Sequence, residues 1–178
     1  VQKKLIPNSK GTYRVLGDQT FEYAQMNYYK SLYSGYAPKD FVLKTDIAWE
    51  SASDTPDLDS GCGIKFRSSL EEGHYAVFIT LDGYIRFYIN ETNTTTDPLG
   101  SKTFFKKTNI VKDNISFVLV VNGETFTAIV DDKIVETVYG RKGLMADGYL
   151  DYSILSGTNL GFGLRCNYTN SFIWIVNE

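Results

Sequence analysis

The stretch DFVLKTDIAWE, residues 40–50, decides the fold class, because apolar and polar side chains alternate along it. Successive side chains of a β-strand point to opposite faces of a sheet, so an alternation of period two predicts a half-buried strand. The predicted strand has an apolar face formed by Phe41, Leu43, Ile47 and Trp49, and a polar face formed by Lys44, Asp46 and Glu50.

The same alternation continues on the C-terminal side of this stretch, in several short runs separated by turn signals. Glu72-Gly73, Asp82-Gly83 and Asn122-Gly123 stand between such runs, and pairs of this type are typical of β-hairpins. Residues 17–26 allow at most one helical turn, since no capping box or apolar stripe supports a longer helix. Many short strands with regular turns predict one all-β sandwich or barrel over residues 1–178.

Composition and charge exclude several classes of function. Of the 178 residues, 43% are hydrophobic and 22% are charged, which is typical of a globular domain. The net charge of −3 argues against nucleic acid as a partner, because phosphate binding needs a basic surface. No apolar run approaches the ~20 residues of a membrane span, so we expect no membrane insertion. The chain begins with Val1, and we expect it to be part of a longer protein with neighbouring domains.

Five segments in a particular order resemble a known family. They are DFVLKTDI (40–47), GCGIKFR (61–67), HYAVFI with DGY (74–84), VNGETF (121–126) and GFGL (161–164). Over residues 13–178 the chain resembles the concanavalin A-like lectin/glucanase, or laminin G-like, domains of bacterial secreted or surface proteins. The resemblance implies a two-sheet antiparallel jelly-roll β-sandwich, located outside the cell or on its surface. It also implies that an oligosaccharide or polysaccharide binds the concave sheet.

A candidate ligand surface comes from the alternation combined with this resemblance. Each of four segments has an apolar set that we assign to the core, and the residues between them point outward. If the four strands share one sheet, as the resemblance implies, the ligand-binding face comprises Lys65, Arg67, His74, Phe78, Tyr84, Arg86, Tyr88 and Arg165. Aromatic rings stack on sugars and arginine donates to hydroxyl groups. The same residue types are also ordinary cross-strand partners on an exposed sheet.

The acidic residues argue against catalysis. Glucanases of this fold carry acidic residues as Glu-x-Asp-x-x-Glu on one strand, and that motif does not occur here. Asp46 and Glu50 share a face but lie about 13 Å apart along a strand, which is too far for glycoside hydrolysis. We therefore predict a non-catalytic carbohydrate-binding module. A structural or adhesion domain that contacts proteins, and a glycoside hydrolase with atypical residues, are the alternatives.

Two further features concern metal and cysteine. Asp54, Asp57 and Asp59 lie in one polar segment and are candidates for a structural calcium site, although their spacing is not that of an EF-hand. No other cofactor is expected. Cys62 and Cys166 both fall in core-facing sets, and they form either a disulfide or two buried thiols. We favour the thiols, because the geometry between strands is often unsuitable for a disulfide.

Overall fold

A computed structural model describes residues 5–6, 10–91 and 96–176 of the chain. None of these residues lies in a helix, so the described chain contains no helix able to cross a membrane. The strands are β1 (Gly11–Val15), β2 (Gln19–Tyr23), β3 (Tyr29–Tyr36), β4 (Phe41–Ser51), β5 (Gly61–Ser69), β6 (Gly73–Thr80), β7 (Tyr84–Glu91), β8 (Thr96–Pro98), β9 (Thr103–Phe104), β10 (Lys112–Asn122), β11 (Thr125–Val130), β12 (Lys133–Tyr139), β13 (Tyr149–Leu155) and β14 (Leu164–Val176).

The strands form two antiparallel sheets that pack face to face as a jelly-roll β-sandwich, which confirms the predicted fold class. Sheet A has the order β1-β14-β4-β10-β11-β12, and β2 also pairs with β14. Sheet B has the order β3-β13-β5-β6-β7-β8, and β9 also pairs with β7. Residues far apart in sequence therefore become neighbours, as where β14 pairs with β4.

The core lies between the sheets and follows the predicted alternation. Every second side chain of β4 is buried, including the four apolar residues assigned to its inner face. Aromatic rings from the two sheets meet there: the centroid of Phe126 in β11 lies 5.0 Å from that of Phe66 and 4.8 Å from that of Tyr75. Each fully buried side chain of this size contributes about 1.5–3 kcal/mol.

The N-terminal segment differs from the sequence-based expectation. Residues 19–23 form strand β2 and not a helical turn, because they pair with β14, for example Thr20 with Asn167. Strand β3, an edge strand of sheet B paired with β13, was also not predicted from the sequence. This strand brings Tyr29 and Tyr33 to the outer face of sheet B.

A disulfide joins the two sheets. Cys62 of β5 and Cys166 of β14 are bonded, with their Cα atoms 5.9 Å apart, so the preference for two free thiols was wrong. Both residues lie on core-facing positions of strands in opposite sheets. The bond therefore runs through the core from one sheet to the other and does not link neighbouring strands, which is why the objection from geometry within one sheet does not apply.

Candidate functional site

The alternation correctly assigns the faces of the three central strands of sheet B. Ile64 and Phe66 of β5 are fully buried in the core, as are the inner residues of β6 and β7. Their neighbours point to the other side of the sheet. This outer face of sheet B carries the predicted residues Lys65, His74, Phe78, Tyr84, Arg86 and Tyr88.

A pocket of about 200 Å³ lies on this outer face. Its walls are mainly aromatic and aliphatic, and its lining consists of Asn27, Tyr29, His74, Ala76, Phe78, Tyr88 and Leu155. Phe78 and Tyr88 are neighbours on adjacent strands and meet edge to face, with ring centroids 6.0 Å apart. Only three of the seven lining residues were predicted from the sequence, and the additional residues come from β3, β6, β13 and the segment that precedes β3.

Tyr29 connects the edge strand β3 to another part of the pocket lining. Its hydroxyl group and Nε2 of His74 lie 2.8 Å apart in a hydrogen bond, and its ring also lies 6.4 Å from that of Phe78. These residues come from β3 and β6, which are separated by β13 and β5 in the sheet. A twisted sheet brings opposite corners of one face together, which explains how the side chains meet.

His74 is neutral at pH 7. Burial lowers its pKa to about 4, and the positive charge of Lys65 acts in the same direction. A neutral ring beside the Tyr29 hydroxyl offers hydrogen-bonding atoms without a net charge.

The buried histidine predicts a dependence of stability on pH. The unfolded chain takes up a proton at His74 near pH 6.5, whereas the folded protein does so at about 4. Between these values the unfolded state binds more protons, so this residue makes the free energy of unfolding fall as the pH falls through that range. Urea unfolding at neutral pH and near the folded-state pKa measures the effect in wild type and His74→Gln. Because carboxylates titrate in both proteins, an equal pH dependence in the two would contradict the assignment.

Strand β5 forms the floor beside the pocket. Gly61 and Gly63 leave this part of the outer face without side chains, and a Cβ on Gly63 would collide with the carbonyl oxygen of Val77. Lys65 then forms an ion pair with Asp151 of β13, with Nζ 2.8 Å from the carboxylate. Both glycines are buried, with Gly63 against the ring of Phe78, and the charges of Lys65 and Asp151 satisfy each other.

The other end of β7 is held by a network of charges. Arg86 lies 3.6 Å from the carboxylate of Asp59 and donates a 3.2 Å hydrogen bond to the Tyr88 hydroxyl. Lys102 bridges Asp59 and Asp82 at 2.6 and 3.0 Å, and its Nζ lies 4.5 Å from the ring centroid of Tyr84. Arg86 therefore contacts the pocket-lining residue Tyr88, and its positive charge is paired with the carboxylate of Asp59.

Arg67 does not belong to the outer face, contrary to the prediction. The register between β5 and β6 shifts after Phe66, and Arg67 adopts a positive φ of 49°, so the alternation breaks at this residue. The side chain turns towards the end of the sandwich, where it is 3% exposed. It donates hydrogen bonds to the carbonyl oxygens of Lys39 and Gly123 and to the carboxylate of Asp40.

The prediction was also wrong for Arg165, because β14 belongs to sheet A. Arg165 lies on the outer face of that sheet, where it pairs with Glu22 and Glu50 at 2.6 and 3.1 Å. The strand begins only at Leu164, and Leu160, which precedes it, is 60% exposed. The assumption that four similar strands share one sheet caused this error.

The three aspartates of the candidate calcium site do not converge. Within residues 5–6, 10–91 and 96–176, no three acidic, cysteine or histidine side chains are grouped in a way that would hold a metal ion. Asp57 accepts a hydrogen bond from the backbone N–H of Asp59, while the Asp59 carboxylate pairs with Lys102. The hydrogen bond from Lys102 stabilises the charged carboxylate of Asp59 and so lowers its pKa. Asp54 is exposed.

Neither a protein-family model nor a curated protein matches the sequence. Solved structures are similar in fold. Carbohydrate-binding module CBM66 from Bacillus subtilis superposes with a TM-score of 0.62 at 12% identity, covering 89% of this chain and 92% of that module. The exoplasmic/lumenal domain of VIP36, in its Ca²⁺/Man-bound form, gives 0.61 at 10% identity, covering 90% of this chain and 84% of that domain.

An enzyme shares the architecture in one part of its chain. The fructosyltransferase from A. japonicus gives a TM-score of 0.63 at 12% identity, with 99% of this chain covered but only 28% of the enzyme. At these identities the similarities show the fold, a jelly-roll β-sandwich of the kind found in lectins and carbohydrate-binding modules.

Proposed function

We propose that this chain is a non-catalytic, lectin-like carbohydrate-binding module that binds a glycan on the outer face of sheet B. The observation that carries the proposal is the pocket of about 200 Å³ whose lining includes the hydrogen-bonded pair Tyr29 and His74. It is concave, it has aromatic walls, and it holds few polar groups, which is the usual composition of a small-molecule site.

The chemistry of the pocket favours a neutral sugar. The ring of Tyr88, packed against the buried ring of Phe78, supplies apolar surface for the C–H face of a sugar, and the hydroxyl of Tyr29 supplies a polar contact. The nearby cations are already engaged, Lys65 by Asp151 and Arg86 by Asp59. An acidic sugar would have to compete with these carboxylates, whereas hydroxyl groups bind without displacing them.

The placement of the acidic residues supports binding without catalysis. Asp46 and Glu50 lie on β4 of sheet A, the sheet opposite the pocket. The Glu50 carboxylate pairs with Arg165, and that of Asp46 accepts a hydrogen bond from Asn170. Their separation of about 13 Å along the strand exceeds the spacing that glycoside hydrolysis uses.

We also infer that the module works outside the cell or on its surface, within a longer protein. The disulfide between Cys62 and Cys166 supports this location, since such bonds persist in oxidising compartments.

A glycan array followed by calorimetry tests the proposal. We expect the folded protein to bind a neutral glycan, and Tyr88→Ala to weaken that binding at least tenfold, about 1.4 kcal/mol. Arg165→Ala, which changes a charged residue on the opposite sheet, should leave the affinity unchanged. A folded sample that binds no glycan would refute the proposal, and an equal loss in both variants would move the site away from the outer face of sheet B.

A further inference from the structure

Two tyrosines lie exposed at the other end of the outer face of sheet B. Tyr33 of β3 and Tyr149 of β13 are 54% and 52% exposed. Their rings pack edge to face, with centroids 5.2 Å apart and planes at 78°. In this arrangement the ring that receives the edge of its neighbour keeps its opposite face free for another partner.

The tyrosine pair shares a face with the pocket. Tyr33 stands opposite Asp151 in the sheet, Asp151 stands opposite Lys65, and Lys65 stands opposite Ala76 in the pocket lining. Side chains directly opposite each other on paired strands lie on the same face. Tyr33 and Ala76 are therefore three strand spacings apart, or about 14 Å, and Tyr33 lies about 13 Å along β3 from Tyr29 of the pocket lining.

Polar side chains lie between the two places. The Lys65–Asp151 ion pair is among them, with a hydrogen bond between the hydroxyl groups of Ser31 and Ser153 next to it. The partly exposed ammonium group of Lys65 can donate hydrogen bonds to a hydroxyl-rich chain that crosses it, and the buried carboxylate of Asp151 holds that group in place.

We propose that Tyr33 and Tyr149 form a second sugar-stacking position, so that the ligand is a neutral oligosaccharide running from the pocket across Lys65–Asp151 to the tyrosine pair. This inference rests on the proposed function of the pocket. A single sugar ring cannot reach both places, so the length of the glycan becomes a determinant of affinity.

The charges around Tyr149 favour an uncharged oligosaccharide as the ligand. An open groove of about 720 Å³ continues beyond this residue. Three carboxylates line it, those of Glu71, Glu72 and Asp147, against one cationic side chain, that of Lys39. An acidic polysaccharide would be repelled there, whereas a neutral one has room to extend.

Calorimetry with the mono-, di-, tri- and tetrasaccharide of the neutral glycan that binds the array tests this inference. In wild type the affinity should rise with chain length, by about tenfold between the shortest and the longest ligand. Tyr149→Ala should remove this rise and leave the affinity for the monosaccharide unchanged. Tyr139→Ala is the matched control, because Tyr139 is 72% exposed but lies on β12 of sheet A.

The outcomes separate this inference from the proposed function. If the monosaccharide binds as tightly as the tetrasaccharide, or if Tyr149→Ala keeps the rise, the second position is wrong while the pocket stands. If no ligand of any length binds the folded protein, both fail.

Discussion

Replacing Cys62 and Cys166 with alanine should lower the free energy of unfolding by about 4 kcal/mol, because the disulfide closes a long loop in the unfolded chain. The two cysteines are 104 residues apart in sequence. Without the bond the unfolded chain regains the entropy that this closure removes. The bond also connects the two sheets through the core, so its loss removes a direct covalent link between them. Urea unfolding followed by fluorescence measures the change.

Reduction of the wild type provides the control for this prediction. A reductant should shift the unfolding of the wild type towards that of the double variant and leave the double variant itself unaffected. If both proteins unfold at the same denaturant concentration without reductant, the disulfide does not stabilise the fold as argued.

Arg67→Ala should destabilise the protein by about 3 kcal/mol, because removing one partner of a buried ion pair leaves the other without compensation. The Arg67 guanidinium is buried, and three acceptors depend on it: the Asp40 carboxylate and the carbonyl oxygens of Lys39 and Gly123. Its carbon Cζ also lies 5.4 Å from the ring centroid of Phe126, so alanine would open space in the packing. Thermal and urea unfolding measure the loss.

Arg165→Ala is the matched control for this effect. Its ion pairs with Glu22 and Glu50 are open to solvent, and such pairs contribute little to stability, so Arg165→Ala should unfold close to wild type. Arg67→Lys, which keeps the charge but not the planar set of donors, should fall between wild type and Arg67→Ala. A purely ligand-binding role for Arg67 would instead give a stable Arg67→Ala protein with weakened glycan affinity.

Much of the candidate site could be predicted from the sequence where strands are regular. Along β6 and β7 the alternation placed His74, Phe78, Tyr84, Arg86 and Tyr88 correctly, because each residue of an unbroken strand reverses the direction of the previous one. The prediction failed at Arg67, where a shift of register reverses the rule, and no residue type in that segment signals the shift.

The pocket-lining residues of β3 and β13 were not predicted, for a different reason. Tyr29 and Leu155 lie on β3 and β13, which pair with each other although they are more than 100 residues apart in sequence. Tyr29 and Tyr33 do stand at alternate positions of β3. Since both faces of this edge strand carry polar residues, the alternation there is too weak to identify a strand.

Local alternation was sufficient to establish an all-β chain, the inner residues of its central strands and the outer-face aromatic residues of β6 and β7, because these follow from backbone geometry over a few residues. Pairing between strands that are distant in sequence decided the remaining contacts. It placed Arg165 on sheet A, joined Cys62 to Cys166 and brought Tyr29 to His74. These outcomes depend on which distant segments exchange hydrogen bonds and on how the sheets twist, and neither is encoded in any short stretch of the chain.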